Sequence, residues 1–244
     1  MSARWRRLLA EFLGTGLLVA VVVGSGIAAQ QLSPNDIGLQ LLENSLATVF
    51  GLAVLILMLG PVSGAHFNPA VSIADWFLGR RAGTGLSVAE VCAYAVAQCL
   101  GAIGGALLAD VMFNVDAHFS TKHRASGGHL VGEIVATAGL VLLIFALART
   151  QRGLLSAPAV GAYIGAAYWF TSSTSFANPA VTIGRMFSNT FAGIAPSSAP
   201  AFIGMQLIGA AGGLLAVLVL YPDAASAADD VLVPHSETAA APRR

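Results

Sequence analysis

The stretch GLAVLILMLGPVSGAHFNPAVSI that begins at Gly51 returns as GAYIGAAYWFTSSTSFANPAVTI from Gly161, at a constant offset of 110 residues and without a gap. Two further landmarks keep the same order. Glu11 with Gly14 and Thr15 opens one apolar segment as Glu133 with Thr137 opens another, and Gln98, Gly101, Ala102, Gly104 and Gly105 recur as Gln206, Gly209, Ala210, Gly212 and Gly213. Three landmarks in one order make an internal duplication. Apolar segments of membrane-spanning length run over residues 8–29, 39–59, 88–112, 130–147, 154–170 and 201–220, three to each copy. An odd number of crossings turns the second copy upside down, which puts the functional centre of such a chain near the bilayer midplane. The fold predicted is an all-α membrane protein of six transmembrane helices and two re-entrant half-helices, built as an inverted repeat.

The composition agrees with this. Apolar residues make up 56% of the chain and charged residues 10%, against about a quarter charged in soluble domains. Twelve Lys and Arg balance twelve Asp and Glu, leaving no basic surplus for a phosphate backbone, so nucleic acid is excluded as a partner. Cys92 and Cys99 lie two helical turns apart in one apolar run, too far for a disulfide, and read as small hydrophobes. The membrane domain is placed at 1–222, with repeats at about 8–112 and 130–221. Residues 223–244, rich in Ala, Asp and Pro, are read as a disordered tail. Arg4, Arg6, Arg7, Arg80, Arg81, Arg149 and Arg152 fall on one side of the spans, and Lys122, Arg124 and Arg185 on the other. That bias predicts cytoplasmic amino and carboxyl termini.

After the second and fifth spans come SGAHFNPAVSIADWFLG from Ser63 and STSFANPAVTIGRMFS from Ser173, too short and broken to cross a bilayer. Each reads as a half-helix with Asn68 or Asn178 as its N-cap and Pro69 or Pro179 at the first helical position, followed by Ala70 or Ala180. Inverted symmetry brings the two amino ends together at the midplane. There they create a positive field that disfavours cations, with side-chain amides as donors. The lead-in residues Gly64, Ala65 and His66, and Thr174, Ser175 and Phe176, are expected to be extended. Their carbonyls then lack helical partners, which is tolerated at membrane depth only beside a wet cavity. An aqueous pore is the consequence.

SGAHFNPAV, the second NPAV, the paired glutamates and the repeated glutamine helices resemble the aquaporin, or major intrinsic protein, family of water and solute channels, over about residues 8–221. The resemblance implies a homotetramer with one pore per subunit in the plasma (inner) membrane of a bacterial cell. It also implies a barrier in two parts, the NPA junction and an outer selectivity filter. No enzyme activity, cofactor or metal is expected.

Water channels of that family carry Arg directly after the second NPA, an aromatic in the second span and commonly His in the fifth. Here Val181 follows the second NPA, and gapless counting puts Thr48, Ala166 and Ser175 at the other filter positions. A two-residue gap would put Phe50 in place of Thr48. Losing Phe, His and Arg removes bulk and the fixed charge, so a wide, mildly apolar filter is predicted. It resembles that of a bacterial aquaglyceroporin subgroup linked to arsenite and methylated arsenicals.

Glu11 and Glu133 are read as acceptors for backbone donors of the half-helix loop in their own repeat, in preference to a proton relay. His66 is read as bracing its loop. His118, His123 and His129 match no standard metal-ligand spacing and are read as solvated. The glycines of the third and sixth spans are expected at close helix contacts, and Trp5 and Trp76 at the membrane interface. The function expected is passive passage of small neutral solutes, arsenite or a related metalloid first, with glycerol and water also possible. A glycerol and water channel without an arsenic role is the alternative. A proton-coupled transporter would need titratable groups along the path, and only the two glutamates qualify.

Overall fold

The computed structural model describes residues 3–80 and 83–222. The carboxyl-terminal tail at 223–244 and Arg81 of the charge count lie outside them. Among the described residues eight α-helices follow in order: α1 (Ala3–Leu32), α2 (Ile37–Ser63), α3 (Pro69–Gly79), α4 (Val88–Met112), α5 (Gly127–Arg149), α6 (Ser156–Phe170), α7 (Pro179–Gly184) and α8 (Ala199–Leu220). There is no strand among the described residues. Five of these helices, α1, α2, α4, α5 and α8, are long and apolar enough to cross a membrane. The sixth span is α6, whose 15 residues reach about 22 Å at the α-helical rise. A 3-10 turn over Gly153–Leu155 precedes it and adds about 6 Å, close to the thickness of a hydrocarbon core.

The duplication is visible in the packing. Helix α1 lies against α2 and α4, as α5 lies against α6 and α8, while α2 meets α6 across the two copies. Close approach comes from the expected glycines. A side chain on Gly101 or Gly105 would overlap the backbone of Phe12 or Gly16, and one on Gly209 or Gly213 would strike the carbonyls of Ile134 or Ala138. Gly104 and Gly212 face open space, so within each glycine set only the pair four residues apart is at the contact.

Helices α3 and α7 are the half-helices, of 11 and 6 residues, the second prolonged by a 3-10 turn over Arg185–Phe187. Pro61 stands near the end of α2, and Gly64 closes that helix in the left-handed region at φ 86°, its N–H bonded to Gly60 O. The apolar core is continuous from α1 through the half-helices to α6 and α8, with Val19, Val23, Ala70, Ala74, Ala136, Val141 and Ala180 fully or almost fully covered. Leu57, Phe50, Val111, Val219 and Leu220 are exposed on the outer surface, as lipid-facing positions are.

Candidate functional site

Each half-helix begins as its sequence dictates. Asn68 and Asn178 have extended backbones at φ −154° and −158°, and their Oδ1 atoms accept from Ala70 N and Ala180 N at 2.9 Å. Asn178 Oδ1 also takes Val181 N at 3.2 Å. Prolines 69 and 179 occupy the first helical positions, where a missing N–H costs nothing. The side-chain amides reach across the repeat axis: Asn68 Nδ2 donates to Ala177 O and Asn178 Nδ2 to Phe67 O. Each amide thus commits one hydrogen to the opposite loop and retains a second beside the cavity.

The loops leading to the caps are not extended. Ala65 and Phe67, and Thr174, Ser175 and Ala177, sit at φ between 47° and 59°, a left-handed conformation that side chains ordinarily avoid. Buried glutamates hold them there. Glu11 accepts from His66 N at 3.0 Å, Phe67 N at 2.7 Å, Ser63 Oγ at 2.6 Å and Gln98 Nε2 at 2.7 Å. Glu133 accepts from Phe176 N and Ala177 N at 2.9 Å and from Gln206 Nε2 at 2.6 Å. Backbone donors aimed at carboxylate oxygens make strong bonds in a dry interior. The two networks then reach the half-helices themselves, because Gln98 Nε2 also meets Ser72 Oγ at 3.3 Å and Gln206 Nε2 meets Thr182 Oγ1 at 2.9 Å. In the sequence Gln98 and Gln206 stand out as repeat landmarks only. Their position two to three turns into helices rich in small residues was the signal that they are buried and must be hydrogen-bonded.

These elements enclose a cavity of about 60 Å³, enough for a short file of waters. Asn68, Asn178, Ala65, His66, Phe67, Ser175, Phe176 and Ala177 line it on one side, and Leu18, Val22, Ile56, Val71, Leu140, Ile144 and Val160 contribute apolar wall. His66 is bonded to Ser72 Oγ through Nδ1 at 3.0 Å and its ring stands edge-on to Tyr94. It therefore both lines the cavity and braces its loop. Gly64 is not a lining residue, and Thr174 borders a second cavity at the mouth, of about 300 Å³, together with Lys122, His123, Arg124, His129 and Arg185. His123 and His129 bond to Ser197 and Ser126.

Of the four positions read as a filter, three border the main cavity. Thr48 is 2% exposed, Ser175 3% and Val181 4%, whereas Phe50 points outward at 66% exposure. At the second-span position Thr48, and not Phe50, borders the cavity. The gapless count fails in the fifth span: Ala166 lies on the exposed face of α6, and the face toward the cavity carries Val160, Ile164 and Tyr168 at four-residue steps. Tyr168 OH lies 3.1 Å from Thr48 Oγ1, joining α6 to α2. The expected loss of the fixed charge also fails. Arg185, one turn beyond Val181, is 3% exposed and lines the cavity. Its placement among loop charges hid it; an arginine inside an apolar half-helix was the available signal.

Comparison with known proteins agrees with this geometry. The family model described as major intrinsic protein matches residues 1–175. The chain belongs to the aquaporin family. It is 50% identical over 206 residues to aquaglyceroporin AqpS of Rhizobium meliloti, covering 84% of this chain and 85% of the relative. Human aquaporin-2 is 34% identical over 154 residues, 61% of this chain and 53% of that one. The X-ray structure of the aquaglyceroporin from Plasmodium falciparum superposes with a TM-score of 0.62 over 91% of this chain and 98% of that one, at 21% identity, a likeness of fold. As a member of this family the chain is a multi-pass membrane channel for small neutral solutes and not an enzyme.

Proposed function

We propose that the chain conducts arsenous acid or a related neutral metalloid, including methylated arsenicals, passively across the membrane, with glycerol and water as further permeants. The observation that carries this reading is the wall around Val181. Thr48, Ile164 and Val181 replace the bulky aromatic, histidine and arginine of a water filter with smaller or apolar groups, while Ser175, Tyr168, His66, Arg185 and the two asparagines leave polar groups at intervals along a largely apolar wall. Arsenous acid is a neutral trihydroxyl close to glycerol in shape. Its hydroxyls exchange water for these sparse partners, and its compact body suits an apolar wall. Similarity to a relative named an aquaglyceroporin supports the solute class, glycerol included.

The assembly proposed is a homotetramer with one pore per subunit in a bacterial plasma membrane, both termini cytoplasmic. The basic residues of the amino-terminal segment and of the 149–152 turn support that orientation. NPA residues 68–70 and 178–180 form the central junction, and Thr48, Ser175 and Val181 form the outer filter. Purified protein in liposomes tests the substrate. Uptake of arsenous acid at a rate comparable to or above that of glycerol is expected, and glycerol passage with arsenous acid excluded would return the chain to the plain glycerol channel.

A further inference from the structure

Arg185 is the one cation among the residues that border the main cavity. Its guanidinium lies over the Phe176 ring, with Cζ 3.5 Å from the centroid, and its Nε donates to Ala192 O. These contacts fix the plane of the group. Its Nη atoms have no hydrogen-bond acceptor among the described residues, and no carboxylate among them forms an ion pair with it. Arg124 is a neighbouring charge of the same sign, and Glu133 is the carboxylate whose field reaches Arg185, without contact. Arg124 donates to Gly193 O and Phe191 O, and Lys122 to Phe191 O, so the carbonyls of 191–193 are held by three cations in a row and Arg185 keeps its forked donors for the cavity. Ser175 borders the same cavity, and its Oγ is buried without a hydrogen-bond partner among the described residues.

We infer that Arg185 is the specificity-determining cation of this channel, displaced one helical turn from the position after the second NPA, where Val181 now stands. Taking the channel reading as its basis, the consequence is a division of labour. Val181 widens the path, and Arg185 with Ser175 offers donors to oxygen-bearing neutral solutes while its charge, in contact with no carboxylate, rejects cations of the same size. Stacking on Phe176 and the bond to Ala192 O preorganise the group, so a passing solute does not have to order it.

Urea and guanidinium probe this directly, being planar, nearly equal in size and different in charge. In liposomes, wild type should pass glycerol and urea and exclude guanidinium. Arg185→Gln should raise the guanidinium-to-urea flux ratio tenfold or more, and Arg185→Lys, which keeps the charge, should leave that ratio near wild type. If Arg185→Gln does not assemble, the double variant Val181→Arg with Arg185→Gln, which restores a cavity cation one turn back, is compared with Val181→Met with Arg185→Gln, which carries none; discrimination present in the first and lost in the second supports the inference, and equal discrimination in the two overturns it. An unchanged ratio in assembled Arg185→Gln, or equal loss of discrimination in Gln and Lys variants, overturns it. Absence of glycerol and urea flux in wild type would instead overturn the channel reading.

Discussion

Asn68 and Asn178 cross-link the two repeats reciprocally, Asn68 Nδ2 to Ala177 O at 2.8 Å and Asn178 Nδ2 to Phe67 O at 2.7 Å. Each asparagine therefore does two things with one amide group: its oxygen caps its own half-helix, and its nitrogen anchors the other repeat's loop. The two functions separate on substitution. Asn178→Asp keeps an oxygen to cap Ala180 N but sets a carboxylate against the Phe67 carbonyl and offsets the positive helix ends. Neutral solute flux should fall at least tenfold or a cation leak should appear, read by stopped-flow light scattering and by a potassium-sensitive dye in liposomes. Normal neutral flux without leak would remove the junction from the mechanism.

Glu133 receives three buried donors. Glu133→Leu leaves them unpaired at about 1–3 kcal/mol each, so the variant should fail to yield monodisperse protein in detergent. Glu133→Gln keeps one acceptor oxygen and should retain a substantial share of glycerol flux. A proton relay predicts the opposite pattern, with Gln as inactive as Leu and pH-driven uptake abolished in both.

Val181→Arg adds a long cation beside the constriction, one turn before Arg185. Passage of glycerol and arsenous acid should drop much more than passage of water, and pairing it with Thr48→Phe should deepen the difference. Equal loss of all fluxes would mean that Val181 merely packs its half-helix.

The register of α6 makes a separate expectation. Ile164→Phe, on the cavity face, should reduce solute flux severalfold, whereas Ala166→Phe, on the exposed face, should leave the water-to-glycerol ratio unchanged. Parallel stopped-flow traces decide it, and the reverse result would restore Ala166 to the filter.

The spans, the half-helices and their caps were legible because each rests on local chemistry: apolar length, an Asn that caps, a Pro that starts a helix. What escaped the sequence depended on relations between segments. The lead-in loops were expected to be extended, but paired carboxylate acceptors at Glu11 and Glu133 turn successive N–H groups inward, which requires the left-handed backbone at Ala65, Phe67, Ser175 and Ala177. Gapless counting from Asn178 reached Ala166 because it assumed a family spacing between α6 and α7. The helical phase of Val160, Ile164 and Tyr168 overrode it. Arg185 was counted as a flanking charge, since one dimension cannot distinguish a loop arginine from one folded back onto Phe176.

Uncoupled, downhill passage of neutral solutes is the central claim, and glycerol and arsenous acid uptake into proteoliposomes with and without an imposed proton gradient tests it most directly. Rates should be the same in either condition, and internal solute should rise to the external concentration and stop. Accumulation beyond that level, driven by the gradient and abolished by a protonophore, would contradict a passive channel.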